Sequence, residues 1–401
     1  MANPANEPFI YDANRVRAWI PDEATLPVAR GILFLGNGAG ADNKDSAHNP
    51  KLQDWALRRG FVLMGTRAGN LGEDDAWRSF MSDVNRVIHA SGRRELHHAP
   101  ILYWGHSMGG QQAYGMARRI PDRMIAFIVN KGANYVREAG VDPWNVPALM
   151  IAGGNDSELR RTNIHNLYAE GRAQGAPWAW LEEFRVGHGL GNSMHIAFGF
   201  FEDILTQRYP QNPDNVPTVS GPPMLQPMDL NQGWLVKTGH EEWATGFVDI
   251  FPQQGYRGNP LDHGWVPSRR TAFLYRALAS YTNPNRDVGR NQGKHVVHHL
   301  PFRPIGGFGG ETATLSRFRP GRTVPYSFEL IGNPQWTEIR IYSYDVLIHT
   351  LPASPETRFE VELTLNPEWP SHAVHMVMEL ADGEQRTSLI HFLTPKHDST
   401  R

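Results

Sequence analysis

Gly105-His106-Ser107-Met108-Gly109 stands directly behind the apolar run Ile101-Leu102-Tyr103-Trp104. A serine held between two glycines at the end of a strand, with a helix to follow, has the form of a nucleophile elbow. The turn is so tight that a Cβ on either glycine would crowd the strand or the helix, and the serine is carried at its tip with Oγ exposed. The chemistry implied is nucleophilic attack by an activated hydroxyl. A serine hydroxyl is a weak nucleophile without a base, and that base needs a carboxylate to orient it.

Both partners follow Ser107 in the chain, each at the end of a further apolar run. Ala148-Leu149-Met150-Ile151-Ala152 leads into Gly153-Gly154-Asn155-Asp156, and the run from about Trp178 to Val186 leads into Gly187-His188-Gly189. The order Ser107, Asp156, His188 is the one such an elbow expects. Glu158 and Asp142 are the alternatives for the acid. His195 is the rival base, but it falls inside a predicted helix, and His240 and His263 are more distant candidates. The structural readings are a helix-cap serine at 107 and a turn-packing histidine at 188. A lone G-x-S-x-G arises by chance; the strand before it, the helix after it and two partners in order make it specific.

The oxyanion of a tetrahedral intermediate needs backbone N–H donors. Met108, the residue after the nucleophile, supplies one. The second is expected from Gly36-Asn37-Gly38-Ala39-Gly40, where glycines permit close backbone approach; Asn37 and Gly38 are the candidates, and sequence does not choose between them. No Lys-Ser or Lys-Thr pair follows that loop, which argues against a phosphate cradle. His106 reads equally as pocket lining or packing. Arg67, Asn70 and Trp77 follow the run Phe61-Val62-Leu63-Met64, toward the expected rim of the site. Trp234, Trp243 and Trp265 sit in an irregular stretch. There they either stack on a sugar or aryl ester or supply the core of a segment poor in aliphatic residues.

The elements that position these groups alternate through the first 200 residues. Strands are predicted at 31–35, 61–64, 101–104, 124–129, 148–152 and 178–186, and helices at 49–59, 77–90, 109–119, 162–174 and 193–208. Continuous apolar strands with helical crossovers imply a mostly parallel sheet. Residues 210–307 are rich in Pro, Gly, Asn and Trp, with one clear helix at 270–281, and read as an irregular lid or linker packed on the first domain. From about 308 the apolar period becomes two, as in Tyr326, Phe328 and Leu330 or Phe359, Val361, Leu363 and Leu365. Six or seven half-buried strands of this kind make a small antiparallel β-sandwich-like domain over 308–401.

Composition sets the outer bounds. The chain has 401 residues, more than one core commonly fills, with a formal net charge of -2. Neither a basic nucleic-acid surface nor an acidic tail is present. There is no cysteine, which excludes disulfides, thiolate catalysis and zinc–thiolate sites. Lys294-His295-Val296-Val297-His298-His299 reads as a strand with histidines on both faces, His372 and His375 lie on opposite faces of another, and no metal or cofactor is expected. No run of 18 apolar residues suggests a membrane span. The start, Met1 to Pro8, is polar and unlike a signal peptide; a secreted or periplasmic location is favoured only if an export signal has been removed, and otherwise a cytoplasmic one.

The GHSMG elbow, the GND acid loop and the GHG histidine loop resemble the α/β-hydrolase superfamily in its serine esterase and lipase-like branches, over roughly residues 10–208, which would make residues 1–209 the catalytic domain. The resemblance implies an eight-stranded, mostly parallel sheet and acyl transfer through a serine ester, with a small-molecule or polymeric ester as substrate. Gly36-Asn37-Gly38 departs from the family's His-Gly oxyanion loop. The all-β tail lies outside the resemblance and is similar, by analogy alone, to accessory modules of secreted polymer-active esterases. Amide hydrolysis and acyl transfer to another acceptor use the same groups. A non-enzymatic binding protein with partner contacts on the β domain is the reading of a different class. Oligomeric state is not legible.

Overall fold

Six neighbouring strands with every residue buried make up most of the molecule's larger sheet, and their composition explains why. Gly31–Gly36 (β3), Phe61–Thr66 (β4), Ile101–His106 (β5), Met124–Asn130 (β6), Ala148–Gly153 (β7) and Trp178–Glu183 (β8) are near-continuous apolar runs, as strands covered on both faces must be. The computed structural model describes residues 8–38, 42–67, 69, 71–135, 140–183, 186–191, 193–238, 250–279, 302–304, 316–318, 323–330, 335–343, 346–365, 372–383, 385–387 and 391–395.

Two short strands that the sequence reading did not name, Ile10–Asp12 (β1) and Val16–Trp19 (β2), complete an eight-stranded sheet. Its order is β1-β2-β4-β3-β5-β6-β7-β8. β1 pairs with β2, and β2 with β4, antiparallel; every other pairing is parallel. The helices are Pro50–Arg58 (α1), Asp74–Ser91 (α2), Met108–Arg119 (α3), Glu158–Ala173 (α4) and Ser193–Arg208 (α5). Alternate strand residues, including Phe34, Met64, Tyr103, Phe127, Met150 and Trp178, form one core with Phe80 and Val84 of α2, Tyr114 of α3 and Ile164 of α4. The strand residues between them face the other way; there Trp55 of α1 meets Phe61 and Phe198 edge-on.

Strand order decides where a site can lie. From β3 the chain crosses to β4 on one side, then returns to place β5 on the other. The loops leaving β3 and β5 therefore diverge, and a crevice opens at the carboxyl ends of these two strands. Asn37 and Gly38 follow β3, and Ser107 follows β5.

The chain forms two compact units, Met1–Leu235 with Pro252–Ser268, and Val236–Phe251 with Arg269–Arg401. Residues 210–235 and 252–268 thus fall with the larger sheet. Trp234–Val236 (β9), Ile250–Pro252 (β10) and Gly264–Val266 (β11) make a small sheet, and a helix (α6) spans Arg269–Ala279.

In the second unit, Phe302–Pro304 (β12), Val324–Leu330 (β14) and Arg358–Leu363 (β17) form one sheet. Ser316–Phe318 (β13), Trp336–Ser343 (β15), Val346–Pro352 (β16), His372–Leu380 (β18), Gln385–Thr387 (β19) and His391–Pro395 (β20) form another. The alternation read from sequence is realised: Tyr326, Phe328, Ile339, Ile341, Phe359, Val361 and Met376 share one core. One pairing departs from the antiparallel expectation, since β13 runs parallel to β20. The segment 294–299 lies outside the described residues, as do His240 and Trp243.

Candidate active site

The elbow is built by its glycines. A Cβ on Gly105 would sit 1.9 Å from the Gly109 carbonyl oxygen, and one on Gly109 would sit 2.4 Å from the Gly36 carbonyl carbon. Neither contact is possible for a real Cβ, so only glycine lets α3 start this close to β5 and β3. Ser107 occupies φ 54°, ψ -119°, a strained conformation for a residue with a side chain, of the sort found at functional sites. Its N–H donates to the Asn130 carbonyl at 2.7 Å, while its own carbonyl accepts from Gly110 N–H at 2.9 Å. Both bonds pin the turn, and the half-buried side chain projects from it.

His188 Nε2 lies 2.9 Å from Ser107 Oγ, and His188 Nδ1 lies 2.8 Å from Asp156 Oδ2. An ionised carboxylate only accepts, so Nδ1 carries the proton and the Nε2 lone pair faces the hydroxyl. Asp156 is buried, its side chain 3 % exposed. Its other oxygen accepts from Ser157 N–H at 2.8 Å and has the Arg160 guanidinium 3.6 Å away, one helical turn on. Ser157 occupies the N-cap position of α4, but its side chain makes no capping bond. The acid and histidine loops are tied by backbone bonds, Asn155 N–H to Val186 O and Gly154 N–H to Glu183 O.

The alternatives lie elsewhere. Asp142 is paired with Arg118. Glu158 is exposed at the start of α4. His263 is buried, with Nε2 2.6 Å from the Tyr256 hydroxyl. His195 falls inside α5.

Among the described residues the Met108 N–H meets no acceptor. Gly38 adjoins Ser107: a Cβ there would be 3.4 Å from Ser107 Cβ and 3.6 Å from Ser107 Oγ. The two loop candidates differ. Gly38 N–H is turned onto the Asn37 Oδ1 at 2.8 Å, whereas Asn37 N–H meets no acceptor among the described residues. The Asn37 carbonyl accepts from Gly109 N–H at 2.9 Å, which binds this loop to the helix start.

His106 is spoken for. Its Nε2–H donates to the His188 backbone carbonyl at 2.7 Å, its Nδ1 lies 3.2 Å from Asn37 Oδ1, and burial pushes its pKa down to about 4. Its place is between the two loops, as a packing and bonding residue. Arg67 is exposed and in an isolated bridge with Asp42. Trp77 packs against the core under the Arg119 guanidinium. Trp265 is fully buried, its indole N–H donating to Leu230 O at 3.0 Å, so no ring face is open for stacking on a substrate; it supplies core. Trp234 is half-buried in β9. No group of three ligating side chains suited to a metal ion occurs among the described residues.

Three residues went unread in the sequence. Asn130 ends β6 and Lys131 follows it, and Glu183 closes β8. Lys131 and Glu183 form a buried ion pair at 3.0 Å. The available signal was ionisable side chains ending otherwise apolar strands.

Strand order, elbow and the two loops at the carboxyl edge define an α/β-hydrolase fold. No protein-family model matches the chain, and no curated protein matches it in sequence. Solved structures do resemble parts of it. An S-formylglutathione hydrolase from Agrobacterium tumefaciens is 15 % identical, covers 48 % of this chain and 87 % of its own, and has a TM-score of 0.35. The Staphylococcus aureus fluorophosphonate-binding serine hydrolase F is 12 % identical over 49 % of this chain and 93 % of its own, with a TM-score of 0.33. Fibronectin(III)-like modules of Clostridium thermocellum CbhA are 18 % identical over 24 % of this chain and 94 % of their own, with a TM-score of 0.19.

Proposed function

We propose that this chain is a serine hydrolase that cleaves carboxylic esters through an acyl-enzyme. The observation that carries the reading is the His188 imidazole bridging Ser107 Oγ and Asp156, at 2.9 Å and 2.8 Å. His188 Nε2 takes the Ser107 proton as Oγ bonds to the ester carbonyl carbon. The carbonyl oxygen becomes an oxyanion, received by the N–H groups of Met108 and of Asn37 or Gly38. Asp156 holds the tautomer and stabilises the imidazolium. The intermediate collapses, the ester C–O bond breaks, and His188 protonates the departing alkoxide. Water then gives a proton to His188 and attacks the acyl carbon; a second collapse releases the acid and returns the proton to Ser107.

A fluorophosphonate probe tests the reading directly. It labels the wild-type chain and leaves Ser107→Ala unlabelled, and p-nitrophenyl acetate is hydrolysed by the first and not above background by the second. A wild-type chain that neither takes the label nor turns over any ester in a panel of aryl, sugar and polymeric substrates would falsify it.

A further inference from the structure

We propose that the buried Lys131–Glu183 pair, acting through Asn130, is the positioning device that sets His188 against Ser107. This rests on the serine-hydrolase reading above. Lys131 is fully buried, with Nζ 3.0 Å from Glu183 Oε2 and 3.0 Å from Asn130 Oδ1. Two charges this deep are not retained for stability alone, because desolvation offsets much of their attraction.

The network reaches each part of the site. Through its carbonyl, Asn130 receives the Ser107 N–H at 2.7 Å. Through Nδ2 it donates to Ser193 Oγ at 2.8 Å and reaches Leu190 O at 3.4 Å, and Ser193 Oγ–H donates to Leu190 O at 2.7 Å. Leu190 is two residues beyond His188. The Glu183 carboxylate packs on Gly191, where a Cβ would fall 2.1 Å from Oε2; Gly191 has φ 58° and needs glycine on both counts. Lys131 N–H donates to Ile151 O at 2.7 Å, and Lys131 Cε is 2.9 Å from where a Cβ on Gly153 would lie. The Lys131 ammonium thus ties the side chain of Asn130, whose carbonyl holds Ser107, to the Glu183 carboxylate that packs on the loop carrying His188, while the Lys131 main-chain N–H bonds the strand that leads to Asp156.

Backbone strain points the same way. Only Phe9, Ser107 and Lys131 have positive φ among the described non-glycine residues, Lys131 at 57°. That conformation is uncommon for a residue with a Cβ, and it directs this side chain into the pair. Strain of this kind persists where surrounding contacts over-determine it.

The test compares Lys131→Met/Glu183→Leu with wild type on p-nitrophenyl acetate, with thermal unfolding and fluorophosphonate labelling alongside. Replacing both charges by apolar groups removes the pair without orphaning a charge, so the variant folds with a melting temperature near the wild-type value. Its kcat falls about 10- to 100-fold, as a misplaced base demands, with KM within about twofold. The labelling rate falls with kcat. A folded double variant with unchanged kcat overturns the proposal. Should the double variant not fold, Ser193→Ala removes the hydroxyl that links Asn130 Nδ2 to the Leu190 carbonyl while leaving the ion pair in place, and it carries the same test: kcat drops several-fold at constant KM, and an unchanged kcat overturns it. Wild type that fails to label at Ser107 refutes the serine-hydrolase reading instead, so the two failures are told apart.

Discussion

The His188 backbone carbonyl accepts a hydrogen bond from His106 Nε2 at 2.7 Å, with the two rings 5.1 Å apart. The residue just before the elbow serine therefore holds the main chain of the imidazole that faces that serine. Elbow and histidine loop are joined by this bond and by the Asn130 side chain.

His106→Ala should lower kcat about tenfold while leaving KM nearly unchanged, because it frees the histidine loop without touching the nucleophile. The orphaned carbonyl costs about 1–3 kcal/mol of stability. Steady-state kinetics on p-nitrophenyl acetate and urea unfolding of the same samples check both parts.

His106 also makes stability depend on pH. Burial holds its pKa at about 4, against 6.5 unperturbed, so between those values the unfolded chain binds more protons than the folded one. Stability then rises with pH across the window: the neutral folded form is favoured above 6.5 and loses ground as pH falls toward 4. Urea unfolding at pH 7.5, 5.5 and 4.5 should show this slope in wild type and a shallower one in His106→Gln. Equal slopes would remove His106 as the source.

Asp156→Asn should leave the fold intact and cut kcat by about 10⁴, the loss expected when the base takes the wrong tautomer. The amide accepts as well as donates at that position, so the geometry survives and the proton does not. Labelling rate and circular dichroism measured together separate this from unfolding.

Two glycines beside the serine should behave differently. Gly105→Ala brings a Cβ within 1.9 Å of the Gly109 carbonyl oxygen, and backbone must move; several kcal/mol of stability are lost, on the order of the largest point-mutant effects. Gly38→Ala meets Ser107 at ordinary contact distances of 3.4 Å and 3.6 Å. It should melt within a few degrees of wild type, roughly the shift of a 1 kcal/mol change, yet lose activity because the methyl stands over the nucleophile. Melting curves and ester hydrolysis on both variants decide it.

Sequence reading went furthest where one residue type has one physical job. The six fully buried strands and the five helices lie within a few residues of where apolar periodicity puts them, and Ser193–Arg208 coincides. β1 and β2 escaped notice because three or four residues carry no periodicity. Trp265 marks a different limit. An aromatic in an irregular stretch fits core and also ligand stacking until burial decides between them, and here it is fully buried.

From the chain alone came the elbow with its two obligatory glycines, the order of serine, acid and histidine, and the change of apolar period that separates an α/β unit from a β unit. These are local: each depends on what a Cβ, a strand end or an alternating face permits. Only tertiary structure decided which groups meet. The crevice between β3 and β5 follows from a reversal of strand order, His106 turns from the pocket to the carbonyl of His188, and Lys131 finds Glu183 across 52 residues of chain. Such pairings are set by how the strands are laid side by side, and no spacing along the sequence records that.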